Sequence, residues 1–219
     1  MIKTDALFSL KHTLAKDYLA SYEYPWQALK EISSFIKEAG KNLNESEYTE
    51  IAPEIWVHKN ARVAPTAFIG SPCIIGKNTE IRHCAFIRGS ALIGEDCVVG
   101  NSTEIKNAII FDKVQIPHYN YIGDSILGYK SHLGAGAVTS NIKSDKSPVK
   151  IKKADEIIET GLRKFGAMVG DGVEIGCNSV LNPGTVIGKN TIIYPLSRVR
   201  GFVKENSIYK DENNITEKR

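Results

Sequence analysis

Val57, Val63, Ile69, Ile75, Ile81, Ile87, Ile93, Val99 and Ile105 recur at a spacing of six, and no other feature restricts the fold of this chain as much. Four residues after each of the first eight stands a small or short side chain: Ala61, Ala67, Cys73, Thr79, Ala85, Ala91, Cys97 and Thr103. Glycine often follows the aliphatic residue, as at Gly70, Gly76, Gly94 and Gly100. The register returns at Val169, Ile175, Leu181, Ile187, Ile193 and Val199. A helix repeats near 3.6 residues and a strand at 2. Six residues make one short strand and one corner, and three such units close a triangular coil. The aliphatic residue points inward and stacks on its equivalents, and the short residue fits the tight corner. The expected fold is an all-β parallel β-helix of hexapeptide repeats.

Two segments leave the pattern. Residues 1–50 read as helical, with Leu14, Leu19, Trp26, Leu29, Ile32 and Ile36 on helical faces, Pro25 at a first turn and Gly40 at a stop. A β-helix has open strand edges at its ends, so these residues are expected to form a small N-terminal helical cap. The β-helix then covers 51–204, interrupted by a basic loop at 141–168, and a polar C-terminal tail covers 205–219. The loop carries Lys143, Lys146, Lys150, Lys152, Lys153, Arg163 and Lys164. It is read as either a solvated surface or a phosphate site, with a short helix expected over 153–165.

The chain has 219 residues, 42% apolar and 24% charged, with a formal charge of +3. That mild charge suits anionic small molecules and does not call for nucleic acid. No apolar run reaches the roughly 18 residues of a membrane helix. Cys73, Cys84, Cys97 and Cys177 form no CxxC pair, and a chain of this length does not depend on disulfides. A reduced, cytoplasmic protein is expected.

Arg88, then "GNSTEIK" (100–106), "HYNYIGD" (118–124) and "LGAGAVTSN" (133–141) follow one another through the repeats. In order and spacing this stretch resembles the hexapeptide-repeat acyltransferases, in particular the acetyltransferase domain of the bifunctional glucosamine-1-phosphate acetyltransferase and N-acetylglucosamine-1-phosphate uridyltransferase. The resemblance implies a left-handed β-helix, a homotrimer with sites shared between subunits, and acetyl-CoA or another acyl-CoA as co-substrate. The acceptor it implies is an amino sugar, as a sugar phosphate or nucleotide sugar. Carried over residue by residue, it makes His118 the general base and Glu104 its orienting partner. It gives Arg88, Lys106, Tyr121 and Asn141 to the acceptor, and Ala135 and Cys177 to the acyl donor.

The chemistry agrees independently. Moving an acyl group to an amine needs a base, and imidazole titrates near neutral pH. It also needs a donor for the oxyanion, which backbone N–H groups near Ala135 can supply, and Arg88 and Lys106 suit a phosphate. Departures from the family are His132 in place of an asparagine and "NIKS" (141–144) in place of a segment with a tyrosine. No glycine-rich nucleotidyltransferase loop occurs, so pyrophosphorylase chemistry is not expected. The alternative reading is a non-catalytic, sugar-nucleotide-binding or oligomerising β-helix. His12, His58, His83, His118 and His132 lack the H-x4-H spacing of the carbonic anhydrases that share this fold, and no metal is expected.

Overall fold

The computed structural model describes residues 2–153 and 156–218. The chain winds into a parallel β-helix of about eight turns. The sixfold aliphatics stack in register. Val57 lies beside Ile75, Ile75 beside Ile93, Ile93 beside Ile110, and the column continues through Leu127, Val169, Ile187 and Val203. From Ile75 to Ile187 this column is sealed from solvent. At the first turn nothing stacks above, and Val63 is 38% exposed. The short residues take the corners as expected. Thr79 and Thr103 are buried and satisfy their hydroxyls on the Gly94 and Ile116 carbonyls, at 2.7 and 3.1 Å.

The coil has three faces. The first contains Ile55–His58, Cys73–Ile75, Ala91–Ile93, Ala167–Val169 and Thr185–Ile187. The second contains Glu80–Ile81, Val98–Asn101, Gln115–His118, His132–Leu133 and Glu174–Ile175. The third contains Phe68–Ile69, Phe86–Ile87, Val138–Thr139, Val180–Leu181 and Arg198–Val199. Strands Glu104–Ile110 and Tyr121–Leu127 run without interruption from the third face onto the first, which fuses the two into one 14-stranded sheet.

The helices do not cap an end. They lie along the first face. Helix Ile32–Lys41 packs on Cys73–Ile75, Ala91–Ile93 and Glu104–Ile110, and the 3-10 helix Pro25–Lys30 packs on Tyr121–Leu127. The physical reason is that this face is apolar on both sides. Its outward residues Ile74, Leu92, Ile109, Ile126, Met168 and Val186 are all buried. Covering each contributes about 1.5–3 kcal/mol over leaving it in water. The ends are closed differently, by antiparallel strands. Tyr48–Ala52 pairs with Ile55–His58 at one end, and Asn214–Glu217 pairs with Ser207–Asp211 at the other. The segment expected as a polar tail is thus a hairpin that satisfies an open edge.

Three local expectations change. Leu14 lies outside the helices and is 50% exposed. Gly40 does not stop its helix, which ends at Lys41. A Cβ there would fall 2.2 Å from the Trp56 ring, so the glycine permits close packing. In the basic loop, strands Lys150–Lys153 and Glu156–Glu159 form an antiparallel pair where a helix was expected; residues 154 and 155 of that segment lie outside the described residues. Val149, Ile151 and Phe165 are buried, and Phe165 stacks on Trp26 at 5.9 Å. The loop therefore continues the cover of the first face beyond the helices.

Gly100 opens the "GNSTEIK" motif for a steric reason. A Cβ on it would lie 1.5 Å from the Pro117 carbonyl oxygen of the next turn. Backbone cannot yield as a side chain can, so Gly100→Ala is expected to destabilise the protein by about 3 kcal/mol or more. A urea titration of both proteins measures this as a lowered midpoint at equal slope.

Candidate active site

The aliphatic spacing drops from six to five between Ile105 and Ile110 and again between Ile122 and Leu127. A turn is thereby lost at the corner between the third and first faces. The chain passes that corner through one left-handed residue per coil, Asn107 and Asp124, each with φ of 48°. Asparagine and aspartate tolerate this region better than other side-chain-bearing residues. Asp124 is buried, and its carboxylate collects three donors. Asn107 Nδ2 donates at 2.8 Å, Lys106 Nζ at 3.3 Å, and Asn141 Nδ2 at close range. Asn141 Nδ2 also donates to the Tyr121 hydroxyl at 3.2 Å. Gly123 leaves room for that pair, since a Cβ would fall 2.5 Å from the Tyr121 hydroxyl.

Arg88 and Glu104 stand beside this cluster on the third face. Arg88 Nη1 meets Glu104 Oε1 at 2.7 Å, and Glu104 lies next to Tyr121 across the ladder. The Glu104 carboxylate raises the Arg88 guanidinium above its ordinary value. Burial, with Asp124 and Glu104 nearby, raises the Tyr121 phenol, which therefore keeps its proton and can donate. The charges of this corner balance. Arg88 is matched by Glu104 and Lys106 by Asp124. A phosphate arriving here meets cations already paired and must compete with two carboxylates.

The other edge of the third face carries the remaining expected residues. His118 ends strand Gln115–His118 and is exposed. Among the described residues its ring has no hydrogen-bond partner, while its carbonyl accepts the Gly136 N–H at 3.0 Å. Buried Asn120 ties this edge together by donating to the Gly134 and Ala137 carbonyls at 2.8 and 3.0 Å. The Ala135 N–H meets no acceptor among the described residues, as an oxyanion donor requires. Gly134 is forced by the approach of the Cys177 backbone, 2.7 Å from where a Cβ would sit, and Gly136 by its φ of 72°. Cys177 is exposed beside them.

The structure thus sorts the expected residues into two groups. Arg88, Glu104, Lys106, Tyr121 and Asn141 gather at one edge, and His118, Ala135 and Cys177 at the other. Tyr119 and Asn120 lie between His118 and Tyr121, and Tyr119 turns the corner of the coil at φ 52°. Among the described residues Glu104 makes no hydrogen bond to His118, and Oε1 of its carboxylate accepts from Arg88 of the preceding turn. Asp124 and Asn107 were not singled out from the sequence. The drop to a five-residue step at both was the available signal. His132 on the second face pairs with Glu174, Nδ1 to Oε2 at 2.8 Å.

Three of the loop's seven basic residues are paired within it. Lys143 pairs with Asp145 at 3.3 Å, Lys150 with Glu159 at 2.6 Å and Lys153 with Glu156 at 3.1 Å. Lys152, Asn182, Arg198, Arg200 and Glu212 line a hollow of about 280 Å³. A cavity of about 600 Å³ lies around Trp56 at the first turn, away from these residues. No helix is long and apolar enough to cross a membrane among the described residues.

Residues 86–154 match the family model described as the GMPPB C-terminal domain, and residues 166–201 match the bacterial transferase hexapeptide (six repeats). The chain is 33% identical over 211 residues to the bifunctional protein GlmU of Methanococcus maripaludis, covering 93% of this chain and 50% of that protein. It is 33% identical over 154 residues to GlmU of Methanococcus vannielii, covering 70% of this chain and 34% of that protein. It is 34% identical over 105 residues to a bifunctional sugar-1-phosphate nucleotidylyltransferase/acetyltransferase of Sulfurisphaera tokodaii, covering 48% and 26%. The chain spans half or less of the length of these relatives. Among solved structures, WeeI from Acinetobacter baumannii aligns with a TM-score of 0.37 at 13% identity, covering 87% of this chain and 66% of that one.

The charge balance generates a test. Glu104→Gln releases Arg88, so glucosamine-1-phosphate is expected to bind about fivefold tighter at low salt, with the gain fading as salt screens the exposed pair. Isothermal titration at two salt concentrations measures it. Equal affinity in both proteins would show that Arg88 does not face the phosphate.

Proposed function

The chain belongs to the hexapeptide-repeat transferases, and from that premise we propose that it is an acyl-CoA-dependent N-acyltransferase of an amino sugar carried as a phosphate or nucleotide. One observation carries the reading. Residues from Arg88 to Asn141, far apart in sequence, line the two edges of a single narrow face, with an exposed imidazole at one edge and a fixed polar cluster at the other. The acceptor hydroxyls and phosphate suit Tyr121, Asn141, Lys106 and Arg88. The amine attacks the thioester carbon, the C–N bond forms as the C–S bond breaks, and CoA leaves as a thiolate that takes up a proton. Ala135 N–H is the residue-side donor for the oxyanion, and Cys177 lies where the donor would pass. His118 takes the proton that the amine must lose to attack.

A trimer brings the two edges together across subunits. The third face carries an apolar patch before Glu104 and Tyr121, where Phe68 and Phe86 are 58% and 42% exposed and meet edge-on at 5.5 Å. Val180 on the same face is 37% exposed. Such a strip is stabilised by burial against another copy. The second reading, a non-catalytic sugar-nucleotide-binding β-helix, is favoured by the engagement of Glu104 with Arg88, while the His118 ring has no carboxylate partner among the described residues.

Two measurements follow. Sedimentation equilibrium is expected to give a trimer, and the double variant Phe68→Glu, Phe86→Glu a monomer. A wild-type monomer at micromolar concentration would remove the shared site. His118→Ala is expected to lower turnover about 100-fold or more with little change in binding, because base catalysis acts in the transition state. Its pH–rate profile should lose the acid limb, since a protonated imidazole cannot accept the amine's proton. Wild-type turnover in His118→Ala would assign the base elsewhere.

A further inference from the structure

The N-terminal helices are tied to the acceptor corner by a polar side chain of the coil. Asn107 Nδ2 donates one hydrogen to the Leu29 carbonyl at 3.1 Å and the other to Asp124 Oδ1 at 2.8 Å. The amide orientation is determined by this pair of acceptors. Turned over, its oxygen would face a carbonyl and a carboxylate at once. Leu29 lies in the last turn of the 3-10 helix Pro25–Lys30, where carbonyls lack partners within the helix. Asn107 fills that place, and it stands at φ 48° in the residue that replaces the missing corner.

The same helix makes a second contact with this region. Trp26 stacks on Phe165, whose N–H donates to the Asn141 carbonyl at 2.9 Å. The adjacent Gly166 N–H donates to the Asp124 carbonyl at 2.8 Å. Asp124 and Asn141 are thus each held from two directions, by their own coil and by the helical cover. A cover serving only to bury Ile109 and Ile126 would need no polar tie at the coil's left-handed step.

We propose that Asn107 is a positioning residue that makes the N-terminal helical segment part of the acceptor site. It fixes the Asp124 carboxylate, and through it Lys106 and Asn141, so occupancy of the corner and docking of residues 25–41 stabilise each other. The inference rests on the amino-sugar reading for its ligand but not for its geometry. Linkage requires the effect to be reciprocal.

Asn107→Gly tests it, because glycine accepts a positive φ without strain while the side-chain amide is removed. In the wild type, glucosamine-1-phosphate is expected to slow amide hydrogen exchange across residues 25–41. In Asn107→Gly that protection should vanish and the affinity fall about tenfold, within the usual range of coupling between sites. The acceptor KM should rise, while kcat and the acetyl-CoA KM hold. Asn107→Asp, the same size but with a carboxylate facing Asp124 and the Leu29 carbonyl, should lose at least as much. Unchanged affinity and protection in Asn107→Gly would overturn the proposal. If the wild type binds neither glucosamine-1-phosphate nor UDP-N-acetylglucosamine, the functional reading fails on its own. The ligand-free arm then decides the inference. Faster exchange in both 25–41 and 121–127 in Asn107→Gly supports it, and equal rates overturn it.

Discussion

The Asp124 carboxylate is the interaction on which the candidate site depends. It is buried at a corner of the coil and would be costly there without partners. Lys106 and Asn107 of one strand and Asn141 of a later segment supply them. Removing any one leaves a buried acceptor less satisfied, which generally costs about 1–3 kcal/mol. The cluster is therefore held in one arrangement before any ligand arrives. Such preorganisation is what an acceptor site needs, since the donors do not have to be gathered at the moment of reaction.

That carboxylate is available only because the coil breaks its period. A regular six-residue step would place an ordinary corner between Ile105 and its successor. The five-residue steps replace two corners with single left-handed residues and straighten the strands through them. The ladder survives intact, with Lys106 beside Gly123 and Ala108 beside Ser125. Stability and function are thus divided within the same strands. Inward Ile105, Ile110, Ile122 and Leu127 hold the core, and the residues between them build the site.

The repeat made the fold legible, because a sixfold period has few structural solutions and the inward column is strict. It also made the motif residues legible, since "HYNYIGD" and "GNSTEIK" fall where the period fails. Other features lay in pairs that no period exposes. Glu104 was expected to orient His118, and its 2.7 Å pair with Arg88, one turn away on the same face, is a contact the period does not reveal. The helices were expected over an end. The consecutive aliphatics at 74–75, 92–93 and 109–110 were the sign of a face buried on both sides, and a sixfold reading counts only one residue of each pair. Composition left the basic loop open between a solvated surface and a phosphate site, and pairing of three of its lysines with Asp145, Glu156 and Glu159 was not visible in a charge count.

The central claim is that the Asp124 corner and the His118 edge are the two halves of one acyl-acceptor site. A crystal structure with glucosamine-1-phosphate bound tests it most directly. The account predicts sugar density against Tyr121, Lys106 and Asn141, with its amine directed toward a His118 imidazole across the narrow face or from a neighbouring copy. Sugar bound only in the cavity around Trp56, or with its amine turned away from every His118, would contradict it.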